Sequence, residues 1–165
     1  MKDQLTIEKE IERLMNQYGN DVLRMSYIYL KDQQLAEDAF QEVFMKVFKK
    51  FDSFRFESSE KTWIIKITIN VCKDMLKNNW LKKVNLYDTD EIFNDDENIN
   101  VVEHEIDKSE LYHQVMTLPE KYQEVIILYY YQGFNVNEIA SILNTTIGNV
   151  SSLLSRARVH LKKIL

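Results

Sequence analysis

Phe54, Arg55 and Phe56, followed by Lys61 and Trp63 and then by Lys66, Asn70, Lys73 and Lys77, are the residues best equipped to hold a ligand. The last four fall at i, i+4, i+7 and i+11, which places them on one face of a helix. Cations that track phosphates beside rings that stack on bases are how single-stranded nucleic acid is held. A solvated basic face has the same spacing, so the stripe alone leaves both readings open. Upstream, Asp38, Gln41 and Glu42 lie off the apolar face of another predicted helix. They form a candidate partner surface, with an ordinary solvated face as the alternative.

A third constellation runs from Asn135 to Leu165. Val136, Ile139, Ala140 and Leu143 fall on one helical face, and Ile147, Val150, Leu154 and Ala157 repeat the period. Between them Asn144 can take the left-handed conformation that ends a helix, and Thr145 or Thr146 can cap the next. The small Ala140 lets the two backbones approach. This is the layout of a helix-turn-helix, whose second helix enters the major groove of DNA. That helix would present Thr146, Gly148, Asn149, Ser151, Ser152, Ser155, Arg156 and Arg158, with Lys162 and Lys163 beyond. A plain helical hairpin with a basic end fits the same pattern.

Other chemistries find no framework. His104, His113 and His160 are far apart and Cys72 has no cysteine partner, which argues against a metal site and excludes an internal disulfide. There is no glycine-rich phosphate loop. No enzyme constellation and no cofactor are expected.

The elements that must position these groups are helical. Gly (3) and Pro (1) are scarce among 165 residues, which disfavours sandwiches and barrels. Residues 4–30 read as two helical pieces broken at Gly19-Asn20, then a polar turn with Asp32 as a cap. Leu35 to Phe51 reads as a helix with one wide apolar face of Ala36, Ala39, Phe40, Val43, Phe44, Val47, Phe48 and Phe51. Residues 52–62 read as a loop, and Trp63 to Leu81 as a helix with Trp63, Ile64, Ile67, Val71, Met75 and Leu76 toward the core. A further helix begins near Ser109, and the next starts at Leu118-Pro119, buries Tyr122, Val125, Ile126, Tyr129 and Tyr130, and ends at Gly133.

Charge divides the chain more sharply than hydropathy. The net charge is −5, yet residues 61–87 carry six basic and one acidic side chain, and residues 88–110 one basic and ten acidic. Residues 135–165 carry four basic and one acidic. The chain is therefore expected to be all-α, with two small helical domains, 1–87 and 109–165, joined by a flexible acidic linker, 88–108, with a nascent helix from Val101. The linker could shield the two basic surfaces in the free protein. No apolar run approaches the roughly 20 residues of a membrane span, and Met1-Lys2-Asp3-Gln4 lacks the apolar core of a signal peptide, so a cytoplasmic location is expected.

The motifs, in order, are Ala36-Glu37-Asp38-Ala39-Phe40-Gln41-Glu42-Val43-Phe44, Thr62-Trp63-Ile64 with Asn70 and Asp74-Met75-Leu76-Lys77, Leu118-Pro119 with Tyr122-Gln123-Glu124-Val125, and Glu138-Ile139-Ala140 with Arg156-Ala157-Arg158. In this order the chain resembles the sigma factors of RNA polymerase, of the small extracytoplasmic-function (ECF) group that keeps only the two essential domains. The resemblance implies that Asp38, Gln41 and Glu42 dock on the clamp helices of the polymerase β′ subunit. It implies that the segment Phe54 to Lys61, with Trp63, Lys66, Asn70, Lys73 and Lys77, recognises the −10 promoter element and captures a flipped base. The helix from Ile147 to His160 would read the −35 element, and the helix near Tyr122 to Tyr131 would lie toward the β flap. It further implies an anti-sigma factor, in this group often membrane-bound, and a stress response at the cell envelope. The chain departs from the group at Ser151, Leu153 and Ile69, where basic residues are common, so its DNA-facing charge is thinner and the −35 preference does not carry over.

The main rival is a stand-alone dimeric helix-turn-helix regulator, with residues 1–87 sensing or dimerising, that reads palindromic half-sites without polymerase. A helical adaptor that binds only protein is a third reading.

Overall fold

A computed structural model of the chain describes residues 3–85 and 110–164. They fall in two compact units, one within Met1–Ile106 and one within Asp107–Leu165. The predicted linker and its helix from Val101 lie outside the described residues.

The first unit is a bundle of α1 (Gln4–Leu30), α2 (Gln33–Lys50) and α3 (Glu60–Asn85), each packed on the other two. Asp3 opens α1 by accepting from the Thr6 amide at 2.7 Å. Lys31, in the left-handed region at φ 54, closes it. Asp32 then caps α2, accepting from the Leu35 amide at 2.9 Å. A left-handed residue followed at once by a cap turns the chain back within two residues.

The predicted break at Gly19-Asn20 does not occur: α1 is continuous. Gly19 is buried against α2, where a Cβ would come within 3.2 Å of Phe40 Cε2. The glycine admits a neighbouring ring and costs the helix about 1 kcal/mol of propensity. The stripe Ile11, Leu14, Val22 and Met25 runs through it and is buried on both sides, and that packing holds the helix together.

The core of this unit is Leu14, Val22, Met25, Ala36, Ala39, Val43, Val47, Ile64, Ile65, Ile69 and Cys72. Two polar residues inside it, Ser26 and Thr68, donate to the carbonyls of Val22 and Ile64 at 2.7 and 2.8 Å, so neither hydroxyl is left unpaired. α3 lies against both other helices and is therefore apolar on more than one side. Ile69 is core, which explains an isoleucine at a position where a basic residue was the expectation.

The second unit contains α4 (Glu110–Met116), α5 (Glu120–Ile126), α6 (Val136–Ile142) and α7 (Ile147–Ile164). Leu118 is buried and Pro119 sits at the N-cap of α5. Gln123, itself buried, ties α5 back by donating to the Met116 carbonyl at 3.1 Å. α5 runs into a π-helical turn, Ile127–Tyr131, closed by Gln132 N to Ile127 O at 2.9 Å. Gly133 follows at φ 75. This turn overturns part of the predicted buried face. The wider winding brings Ile127 and Leu128 inward and leaves Tyr130 55% exposed.

Candidate nucleic-acid interface

Three residues before Trp63, α3 begins abruptly. Ser59 Oγ accepts from the Thr62 amide at 3.1 Å and donates to Thr62 Oγ1 at 2.8 Å. This serine cap draws Lys61 and Thr62 into the helix, so the loop predicted to run to residue 62 stops at Ser59. Thr62 is buried beneath the cap. Phe51–Ser53 forms a short 3-10 turn before the loop.

Trp63, predicted to face the core, is only half-buried. Its ring stacks on Phe54 with centroids 4.4 Å apart and planes 18° from parallel. Phe56 leans on Phe54 at 4.6 Å, and it is 68% exposed on a left-handed backbone at φ 58. An exposed aromatic in that conformation carries backbone strain that packing elsewhere must offset. The three rings form an aromatic cradle in which Phe56 is exposed and Phe54 and Trp63 are half-buried.

At about 100° per residue, Lys66, Asn70, Lys73 and Lys77 fall within an arc of roughly 60° on α3, and Trp63 widens it to roughly 80°. Lys66 is half-buried, and Asn70, Lys73 and Lys77 are exposed, as is Arg55 on the loop. Lys61 lies roughly 140° around the axis from Lys66 and does not join the stripe. The lower half of the predicted core face also differs, since Leu76 is 37% exposed.

Asp38, Gln41 and Glu42 are all exposed on α2. Glu42 pairs with Lys46 at 3.7 Å, one turn along. Met45 (60% exposed) and Phe48 (41%) share this face. Phe48 was expected in the core. It sits at the edge of an apolar arc that spans about half the helix, and the outermost position of so wide an arc cannot reach the bundle interior. Met45, opposite Ala36 on the helical wheel, gave a signal the sequence reading missed: an apolar residue in a polar stripe.

In the second unit Asn135 and Glu138 form a reciprocal capping box, with the Glu138 amide donating to Asn135 Oδ1 at 2.8 Å. Just past the end of α6, Asn144 turns the chain in the left-handed region at φ 53, as its residue type suggested. Thr146 Oγ1 accepts from the Asn149 amide at 3.1 Å and opens α7, while Asn149 Nδ2 donates to Thr145 Oγ1 at 2.9 Å. Val150, Leu154 and Ala157 seat α7 on the unit, and Ala140 is buried where the helices meet. Ile147, expected in that stripe, is 52% exposed in the first turn of α7.

Thr146, Gly148, Asn149, Ser151, Ser155 and Arg156 are exposed, and Ser152 and Leu153 are half-buried. Arg158 is engaged elsewhere. Its Nε donates to the Tyr130 hydroxyl at 2.8 Å, and its guanidinium lies 5.8 and 5.7 Å from the Tyr129 and Tyr130 ring centroids. It pins α7 to the π-helical turn.

Among the described residues no group of three His, Cys, Asp or Glu side chains is placed to hold a metal ion. Burial pushes the Cys72 thiol up to about 11, so it stays protonated at neutral pH. No described helix is long and apolar enough to cross a membrane.

An all-helical protein with a cation-flanked aromatic cradle on one unit and a helix-turn-helix on the other is equipped to bind nucleic acid. Residues 14–82 match the family model "Sigma-70 region 2" and residues 108–161 match "Sigma-70, region 4". The chain is 32% identical over 156 residues to the ECF RNA polymerase sigma factor SigM of Bacillus subtilis, covering 93% of this chain and 94% of that one. It is 29% identical over 182 residues to the ECF RNA polymerase sigma-E factor of Haemophilus influenzae, covering 96% and 94%. The sigma factor RpoE from Bartonella quintana, solved with the anti-sigma factor NepR, has the same fold, with a TM-score of 0.71 at 23% identity over 94% of this chain and 96% of that one.

The chain belongs to the extracytoplasmic-function group of the sigma-70 family of RNA polymerase sigma factors. It directs RNA polymerase to promoters and is a non-enzymatic initiation factor. Membership of this family sets aside the stand-alone regulator and the protein-only adaptor.

Proposed function

We propose that residues 1–87 both dock on core polymerase and open the promoter, and that residues 109–165 read the upstream element across the 88–108 linker. Asp38, Gln41 and Glu42 meet the β′ clamp helices, with Met45 and Phe48 adding apolar area to the same face. Phe54, Phe56 and Trp63 stack an unpaired base of the −10 element, while Arg55, Lys66, Asn70, Lys73 and Lys77 follow its backbone. Lys61, turned away from the stripe, is left to contact the flanking duplex. Thr146, Gly148, Asn149, Ser151, Ser152, Ser155 and Arg156 face the −35 element. The exposed Tyr130 and Tyr131 suit the β flap. The protein acts in the cytoplasm, where core polymerase is, and an anti-sigma factor, as in the NepR complex of RpoE, covers these surfaces when it is inactive. A membrane-bound anti-sigma factor is the form proposed here.

The observation that carries this reading is the Phe54–Trp63 stack at the head of a cationic stripe. A nearly parallel, half-buried aromatic pair beside an exposed Phe56 offers a platform for a base. The energetics explain why polymerase is required. Opening a start site breaks on the order of ten base steps at about 1.4 kcal/mol each, roughly 14 kcal/mol. Stacking returns only about 1–3 kcal/mol per base. The cradle can trap a base that has already opened, and core enzyme must supply most of the rest.

Promoter-directed transcription with purified core polymerase tests the assignment. Transcripts should depend on the chain and fall sharply when Asp38 and Gln41 are replaced by alanine, with core affinity lost in parallel. Full core affinity in that variant would remove the docking face from α2.

A further inference from the structure

Trp63, the helical member of the aromatic cradle, stands one turn into α3, and an ion pair ties the start of that helix to α1. Arg13, on α1, grips Glu60 with both terminal nitrogens: Nη2 to Oε2 at 2.6 Å and Nη1 to Oε1 at 3.4 Å. The same guanidinium is braced from its own helix, by Glu10 Oε2 at 3.0 Å and Gln17 Oε1 at 3.1 Å. Glu60 is the first residue of α3, next to the Ser59 cap and one turn before Trp63. Tyr18 lines this corner, its phenol held above its ordinary range by burial and then by the charge of Glu60.

We infer that Arg13 and Glu60 are a positioning pair for promoter opening: their forked ion pair fixes the start of α3, and so the Trp63 platform, in the geometry that receives an unpaired base. This rests on the base-capture reading above. Three features support it. The contact is bidentate, which fixes the angle between the partners as well as their distance. Two further groups hold Arg13 in place, so less side-chain entropy is lost on pairing than in an isolated surface bridge. Glu60 is also the acidic residue of the first turn, where the helix dipole favours it. Arg13 is 43% exposed, so the opposing possibility is that it touches phosphate or polymerase directly.

The test is a double-mutant cycle on holoenzyme assembled from core polymerase and the full chain. The measured quantity is the ratio of affinities for two forked promoter DNAs, one with an unpaired base at the captured position and one with an abasic site there. Core affinity is measured in parallel. Arg13→Gln and Glu60→Gln should each reduce the ratio about fivefold, as expected for a braced pair near the top of the surface range. The double variant should reduce it no further, because both changes remove one interaction. Arg13→Lys, which keeps the charge but loses the fork, should fall between wild type and Arg13→Gln. Core affinity should not move in any of them.

An unchanged ratio in the single variants would overturn the pairing. Losses that multiply to about 25-fold in the double variant would do the same, since Arg13 and Glu60 would then act separately. A wild-type ratio near one that Trp63→Ala leaves unchanged would remove base capture itself, and this proposal with it. That result is distinguishable from a normal wild-type ratio that ignores Glu60→Gln.

Discussion

Arg158 decides between two roles that a sequence cannot separate, a contact to phosphate or a pin within the protein. Its Nε lies 2.8 Å from the Tyr130 hydroxyl and its charge lies over the Tyr129 and Tyr130 rings. Tyr130 is 55% exposed, so each contact is placed at the low end of its range. A hydrogen bond from a charged donor is worth about 1.5 kcal/mol at that end, and an exposed cation–π contact about 0.5 kcal/mol. Arg158→Gln, which removes the hydrogen bond and both ring contacts, should therefore destabilise α7 by about 2.5 kcal/mol. Tyr130→Phe, which removes only the hydroxyl and its hydrogen bond, should cost about 1.5 kcal/mol. Hydrogen exchange of the α7 amides in the full chain reads both, as protection factors lowered roughly 70-fold and 13-fold. The same variants should leave the salt dependence of promoter binding by holoenzyme unchanged. A phosphate contact would instead lower the slope of log K against log salt by about 0.9 on replacing Arg158. Normal α7 protection combined with that drop in slope would refute the pin.

Other consequences follow from burial. Glu124 is half-buried, and burial raises its carboxyl from 4.5 to about 7. The native state then holds a proton that the unfolded chain releases, so the stability linked to Glu124 is fully present below pH 4.5 and is lost as pH rises through about 7. The full difference is on the order of 3 kcal/mol, and Glu124→Gln should flatten that pH dependence in urea unfolding. Gly19→Leu would drive a side chain into Phe40 and should cost about 1–3 kcal/mol of stability in the first unit, read by thermal unfolding. The buried Cys72 should resist alkylation in the native chain at neutral pH and react only after unfolding.

The helix-turn-helix was the most legible part of the chain because each of its features is local. Asn135 and Glu138 sit three apart, Asn144 tolerates the left-handed region, and Thr146 precedes an apolar period. The misreadings came from contacts that no local window contains. Gly19 reads as a breaker until Phe40 is set against it. Tyr129 and Tyr130 keep an α-helical period in sequence, and a single π-helical turn shifts the phase. Phe48 looks like core until the width of its arc is compared with what a three-helix bundle can cover. The candidate interface was legible in its residue types but not in its arrangement. The Lys66–Lys77 stripe follows from spacing, whereas the Phe54–Trp63 stack depends on where the loop returns. Lys61 reads as loop in the sequence until Ser59 is seen to cap the helix that takes it in. The Arg13–Glu60 pair spans 47 residues and has no signature in either segment.

The most direct test of the account is the affinity of the free chain for duplex promoter DNA, measured with and without core polymerase at one salt concentration. The chain alone should bind weakly, and its affinity should rise greatly, with base-dependent opening, once core is present. A tight, sequence-specific complex of the free chain with duplex promoter would contradict the account.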